Sequence, residues 1–197
     1  GKAVLVNFTG SDWCGYCIQL KKNVFDTPQF EAYAKDKFIF VEVDVPKDVN
    51  RIGQELYNKN QQLCLQYKIS GFPTIIVLSP EEYILGGFVG GSNMDRTMDS
   101  LNSAIANAAK VKEAATLKGS ERAMKLAEVH GSLSSELKQS NTTMMKDIAE
   151  ADVDNKTGMK DLAKAQAQMA ELDKKLASTR GNAEKALPII NEALKTA

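Results

Sequence analysis

Cys14-Gly15-Tyr16-Cys17 places two thiols three residues apart, just after a strand-like segment and at the expected start of a helix. At that spacing the pair can close a small disulfide ring. The first thiol lies beside free backbone N–H groups and the positive end of the helix dipole, which favours its thiolate. The second lies one turn inward, shielded and placed to attack a mixed disulfide. Trp13 directly precedes the pair, and strand, short loop, cysteines and helix together form a more specific setting than a bare Cys-x-x-Cys. Two blander readings stand beside this one: a structural zinc site and a pair without chemistry. Zinc takes four ligands, and only Cys64 and His130 remain to complete a set, so no metal site is expected. Cys64, between Leu63 and Leu65 in a helical segment, reads as a small core residue.

The elements that must hold the pair alternate between strand and helix. Ala3–Phe8 is strand-like, and a helix is expected from about Cys14 to Val24. Thr27-Pro28 restarts helix, with Thr27 as cap and Pro28 at the first position, where its missing N–H costs nothing. Phe38–Val45 is rich in β-branched and aromatic residues and reads as a second buried strand. Helix follows from Asn50 to Tyr67, then strands at Thr74–Leu78 and Tyr83–Val89. Ser92 or Asn93 can cap a last helix carrying Met94, Met98, Leu101, Ile105 and Ala108 at helical spacing. This order predicts an α/β fold, a mixed sheet with helices on both faces.

Composition divides the chain. Every aromatic residue lies at or before Phe88 and every cysteine at or before Cys64, whereas the stretch after Lys110 is rich in alanine and methionine. Residues 1–110 are therefore read as one domain and 111–197 as an all-α helical region. No Gly/Ser/Pro-rich linker separates them, so a continuous helix or short turn is expected at the join. Within the second part, Leu133, Leu137, Met144 and Ile148 make one apolar stripe, and Met159, Leu162, Met169, Leu172 and Leu176 another. Leu187, Ile190 and Leu194 make a third. Bounded by Gly131, Gly158 and Gly181, these stripes predict amphipathic helices joined by short turns, some covering the first domain. Asp152–Gly158 has calcium-loop spacing only superficially, with Thr157 where glycine is needed, and reads as a helix-joining turn. His130, before Gly131, reads as the last turn of a helix.

Lysine plus arginine and aspartate plus glutamate both number 25. A net charge of zero argues against nucleic acid as partner, since phosphate binding draws on a basic excess. No apolar run approaches the roughly 18–20 residues of a membrane span. The first strand starts almost without an N-terminal lead, so residues upstream are expected in the natural polypeptide, with a targeting sequence among them.

The segments VLVNFTGSDWCGYC, FIFVEVDV and LQYKISGFPTIIVLSP followed by GGFVGG make residues 2–110 resemble a thioredoxin-fold protein of the extracytoplasmic bacterial type. Gly15-Tyr16 between the cysteines is similar to the dipeptide of periplasmic disulfide isomerases. The resemblance implies a cis peptide at Phe72-Pro73 facing the cysteines, with Phe72 offering its backbone to a cysteine-containing substrate chain. It implies an extracytoplasmic, periplasmic or secreted location. No cofactor is expected beyond the redox-active Cys14–Cys17 disulfide itself. Residues 111–197 lie outside the resemblance.

Two functions follow. In the first, the chain is a thiol–disulfide oxidoreductase that reduces or isomerises protein disulfides with an unidentified redox partner. Cys14 attacks, Cys17 resolves, and Trp13, Tyr16, Phe72 and Pro73 shape the docking surface. In the second, a thioredoxin scaffold supports a helical appendage that binds a partner without catalysis. Thioredoxins carry a buried aspartate where this chain has Asn7, and a lysine in place of Glu42. Alternation along Phe38–Val45 sets Glu42 on a face with Phe40, and a strand covered on both faces would desolvate the carboxylate and raise its pKa. Glu42 is then expected to lie beneath the cysteines as proton acceptor for Cys17, hydrogen-bonded by Asn7. The alternative is that Glu42 reaches solvent or a lysine at the sheet edge.

Overall fold

The computed structural model describes the backbone of residues 2–195; side chains are described in part beyond residue 153 and not from 178 onward. Strand β1 (Ala3–Thr9) pairs in parallel with β2 (Phe38–Asp44) and antiparallel with β3 (Thr74–Leu78), which pairs antiparallel with β4 (Ile84–Val89). The sheet order is β2-β1-β3-β4, so the strand that leads to the cysteines is central. Alternate side chains leave a strand on opposite faces. Leu5, Ile75 and Val77 pack with Leu20, Val24, Phe30 and Leu101 on one face. Val6, Phe8, Val43 and Ile76 pack with Leu63 and Tyr67 on the other. The mixed sheet with helices on both faces is as the sequence implies.

Local signals place the helices. α1 (Gly15–Leu20) is extended by a wide turn over Lys21–Phe25, so the expected helix to Val24 is regular only in its first half. Thr27 Oγ1 accepts from Phe30 N at 3.2 Å and caps α2 (Pro28–Ala34). α3 (Gln54–Gln66) follows Gly53, whose φ of 80° few other residues adopt cheaply. Asn93, rather than Ser92, caps α4 (Met94–Ala114) by accepting from Arg96 N at 3.0 Å.

β2 departs from its reading as a buried strand. It is an edge strand, and Ile39, Phe40 and Val41 are exposed on it. Phe40 is only half sheltered, with Phe25 and Phe30 against its ring. Apolar composition suits burial, but only neighbouring strands and helices supply it.

The expected boundary at residue 110 also moves. α4 runs through it, and Val111 and Ala114 share a core with Leu5 and Leu101. α5 (Gly119–Gly131), α6 (Ser135–Ser140) and the start of α7 (Thr142–Lys195) add Leu126, Val129 and Met144 to that core and Leu137 to the other, which Leu133 joins from the α5–α6 connection. Asn141, almost fully buried, fastens this segment to β4: Ile84 N donates to its Oδ1 at 2.9 Å, and its Nδ2 donates to Ile84 O at 3.1 Å. Tyr83 O–H donates to the Asp147 carboxylate, which also faces Arg122 at 3.5 Å. The compact unit accordingly spans Gly1–Asp152, and Val153–Ala197 is a second.

The turns expected at Asp152–Gly158 and Gly181 are not made, because α7 continues through both. A helical glycine costs about 1 kcal/mol but does not by itself end a helix. Within the second unit Met169, Leu172 and Leu176 are exposed, and within the first unit Leu133, Leu137 and Met144 join the cores on the sheet. The side chains of Met159, Leu162, Leu187, Ile190 and Leu194 lie outside the described residues.

Candidate functional site: a dithiol at a helix start

Cys14 and Cys17 form a disulfide, with Cα atoms 5.2 Å apart. Cys14 is the N-cap of α1, and its Sγ accepts from Cys17 N at 3.2 Å. That hydrogen bond favours negative charge on Cys14 once the disulfide is opened. Exposure barely separates the two, at 6% and 3%; position on the helix does.

The loop in front of the pair is held by β2 and the segment after it. Asp44, at the end of β2, accepts from Ser11 N at 2.8 Å and Ser11 Oγ at 2.6 Å. Asp12 accepts from the backbone N–H groups of Lys47 and Asp48, both at 2.9 Å. Those two bonds, Asp48's first, hold the Asp12 carboxyl below its ordinary pKa. Trp13 Nε1 donates to Val45 O at 2.8 Å, and its ring lies on Gly10, where an added Cβ would come within 2.4 Å of the indole. Spacing alone does not mark Ser11, Asp12 or Asp44, since their partners lie more than 30 residues away in the sequence.

Phe72-Pro73 is cis, as the resemblance implies, and the Phe72 ring meets Trp13 edge-on with centroids 5.6 Å apart. Pro73 is buried, and its carbonyl accepts from Gly90 N at 2.8 Å. Tyr16 is 65% exposed, with its ring over Gly91: a Cβ there would lie 2.9 Å from Tyr16 Cδ1. Tyr16, Phe72 and Gly90–Asn93 line a groove of about 690 Å³ with Gln19, Asn23 and Arg96. Trp13, Tyr16, Phe72 and Pro73 are thus brought to one end of the sheet with the cysteines, and Gly15 lies between them.

Glu42 is a correction. It pairs in register with Asn7, but on an edge strand its side chain is exposed, and its electrostatic neighbour is Lys21. An exposed Glu42 has no sheltered position from which to serve Cys17, and it takes the alternative place at the sheet edge near a lysine. Asn7 is 3% exposed on the sheet face shared with Leu5; its Oδ1 has no hydrogen-bond partner, and its amide makes no hydrogen bond to the Glu42 carboxylate.

Cys64 is half-buried beside Leu63 and Tyr67, and burial pushes its thiol up to about 11. His130 lies in the last turn of α5 with Nδ1 buried and without a hydrogen-bond partner; burial first, then Lys138, lowers its pKa. Among the described residues no three His, Cys, Asp or Glu side chains gather as metal ligands, and no helix is long and apolar enough to cross a membrane.

The first half of the chain is similar in sequence to known proteins. The chain is 38% identical over 80 residues to the disulfide bond reductase DsbH of Chlamydia pneumoniae, covering 41% of this chain and 48% of that protein. It is 36% identical over 96 residues to the thioredoxin-related protein DsbJ of the same organism, covering 46% and 27%. It therefore spans half or less of the length of these relatives. A solved structure of a DsbH oxidoreductase matches with a TM-score of 0.47 at 32% identity, over 53% of this chain and 73% of that one. Residues 1–102, about half of the chain, match the thioredoxin-like domain family, and the chain belongs to it.

Proposed function

We propose that this chain is a thiol–disulfide oxidoreductase that reduces or isomerises disulfides in other proteins. The observation that carries the reading is the Cys14–Cys17 disulfide at the start of α1, beside the exposed groove between Tyr16 and Phe72. In the reduced protein the Cys14 thiolate attacks one sulfur of a substrate disulfide. That S–S bond breaks, a Cys14–substrate bond forms, and the departing substrate sulfur takes a proton. Cys17 loses its proton and attacks Cys14 Sγ, which releases the second substrate thiol and leaves the enzyme oxidised by two electrons. A dithiol protein must then return those electrons. In isomerisation a second substrate thiol, rather than Cys17, attacks the mixed disulfide, and no net electrons move. The chemistry uses no cofactor beyond the dithiol.

On this reading the protein works outside the cytoplasm, periplasmic or secreted, which its similarity to DsbH and DsbJ supports. Cysteine-containing proteins are its substrates, and an electron-donating or electron-accepting protein is its redox partner.

Trapping tests the assignment. Cys17→Ser mixed with insulin should accumulate a reducible covalent complex, and Cys14→Ser should form none. A complex that forms equally with Cys14→Ser contradicts the attack by Cys14. The relatives named above include a protein called a disulfide bond reductase, which supports the reductive direction. A measured reduction potential decides it: values near thioredoxin's, about −270 mV, fit a reductase, and values nearer −120 mV an oxidant.

A further inference from the structure

The groove beside the dithiol has an asymmetric polarity. Its floor and rim include the amides of Gln19, Asn23 and Asn93, and its single charged lining residue is Arg96. Among the described residues no carboxylate lines it. Arg96 is exposed, and among the described residues its guanidinium takes part in no ion pair or side-chain hydrogen bond. Its backbone N–H is bound to the Asn93 cap at 3.0 Å, which fixes it in the first turn of α4. A cation is ill-placed there for the helix, because the N-terminal dipole is itself positive. Asp95, next to it, offsets part of that charge but does not line the groove. The dipole and the guanidinium together give this end of the groove a positive potential that Asp95 offsets only in part.

We propose that Arg96 is a specificity-determining residue that selects substrate segments carrying an aspartate or glutamate close to the attacked cysteine. The proposal rests on the oxidoreductase reading above and names the substrate chemistry at that same site. The occupant is an extended acidic segment entering between Tyr16 and Gly91 on one side and Phe72 on the other. Tyr16 supplies an apolar wall, and Arg96 meets the carboxylate beyond it. An exposed charge pair of this kind supports a preference of about five-fold, screened by salt.

The test uses the full chain, reduced, in stopped-flow oxidation by three synthetic peptides. Each holds one intramolecular disulfide, flanked by Asp, Asn or Lys pairs. Rates are divided by those of the same peptides with dithiothreitol, which removes the intrinsic effect of flanking charge on disulfide reactivity. The wild type should prefer the Asp over the Lys peptide by about five-fold at low salt, and the ratio should fall toward one in 1 M salt. Arg96→Gln should lose the preference and Arg96→Glu should invert it, an inversion that altered packing would not produce. Equal normalised rates for the three peptides, or a preference that survives Arg96→Glu, overturn the proposal. Hydroxyethyl disulfide, which has no flanks, separates the failures. If the wild type reduces it but shows no peptide preference, only the role of Arg96 fails; if it reduces neither, the oxidoreductase reading fails as well.

Discussion

At the scale of single residues, three cysteines share a chain but not a chemistry. Cys14 caps α1 and receives the Cys17 N–H, whereas Cys64 sits among Leu63 and Tyr67 with its thiol pushed up to about 11. At pH 7.5 such a thiol is ionised in about one molecule in three thousand, and thiolate is the reactive form. Limiting iodoacetamide on the reduced protein should therefore label Cys14 first and Cys64 last, as read by peptide mapping. Label on Cys64 first would reverse the assignment of both. The loop clamp makes a second residue-scale prediction. Asp12 is held below its ordinary 3.8 by backbone N–H groups, so its contribution is complete above that value and is lost as pH falls through the lower folded value. Trp13, the single tryptophan, bonds Val45 O in the same clamp. Its fluorescence should hold steady down to pH 4 and change below it, and in Asp12→Asn that acid step should vanish. The Cys-Gly-Tyr-Cys pair was legible from spacing, because its geometry is local. Glu42 was misread because alternation tells which face a side chain takes, but not whether anything covers that face.

Elements show the same division between local and distant causes. The caps at Thr27 and Asn93 are written in adjacent residues, and the structure places them there, whereas α3 begins at Gln54 rather than at the expected Asn50. FIFVEVDV has the composition of a buried strand yet forms the sheet edge, since strand order depends on pairings that no single segment records. Asn141 is the strongest example of a long-range tie. Its amide meets both backbone groups of Ile84, 57 residues away, and nothing in its own segment announces the contact. Asn141→Ala should strand a buried N–H and C=O on β4 and cost about 2–4 kcal/mol in urea unfolding, at unchanged m-value. A loss under 0.5 kcal/mol would mean that the α6–α7 connection is not held to the sheet in this way.

The division of the molecule follows packing rather than composition. Aromatic residues stop at Phe88, which suggested a boundary at 110, but Val111, Leu126, Val129 and Met144 complete the core begun by Leu5 and Leu101. Removing several buried aliphatic side chains costs a few kcal/mol each, comparable in sum to the whole stability of a domain. A chain ended after Lys110 should lose cooperative unfolding, whereas one ended after Asp152 should keep a single sharp transition. Equal melting of the two would return the boundary to residue 110. On the proposed function, this whole assembly presents one dithiol to protein disulfides. Insulin reduction coupled to dithiothreitol measures that directly. Turnover above the uncatalysed rate, abolished in Cys14→Ser, is the expected result; no turnover while both Cys14 and Cys17 titrate as free thiols would contradict it and leave a thioredoxin-like scaffold that binds without catalysing.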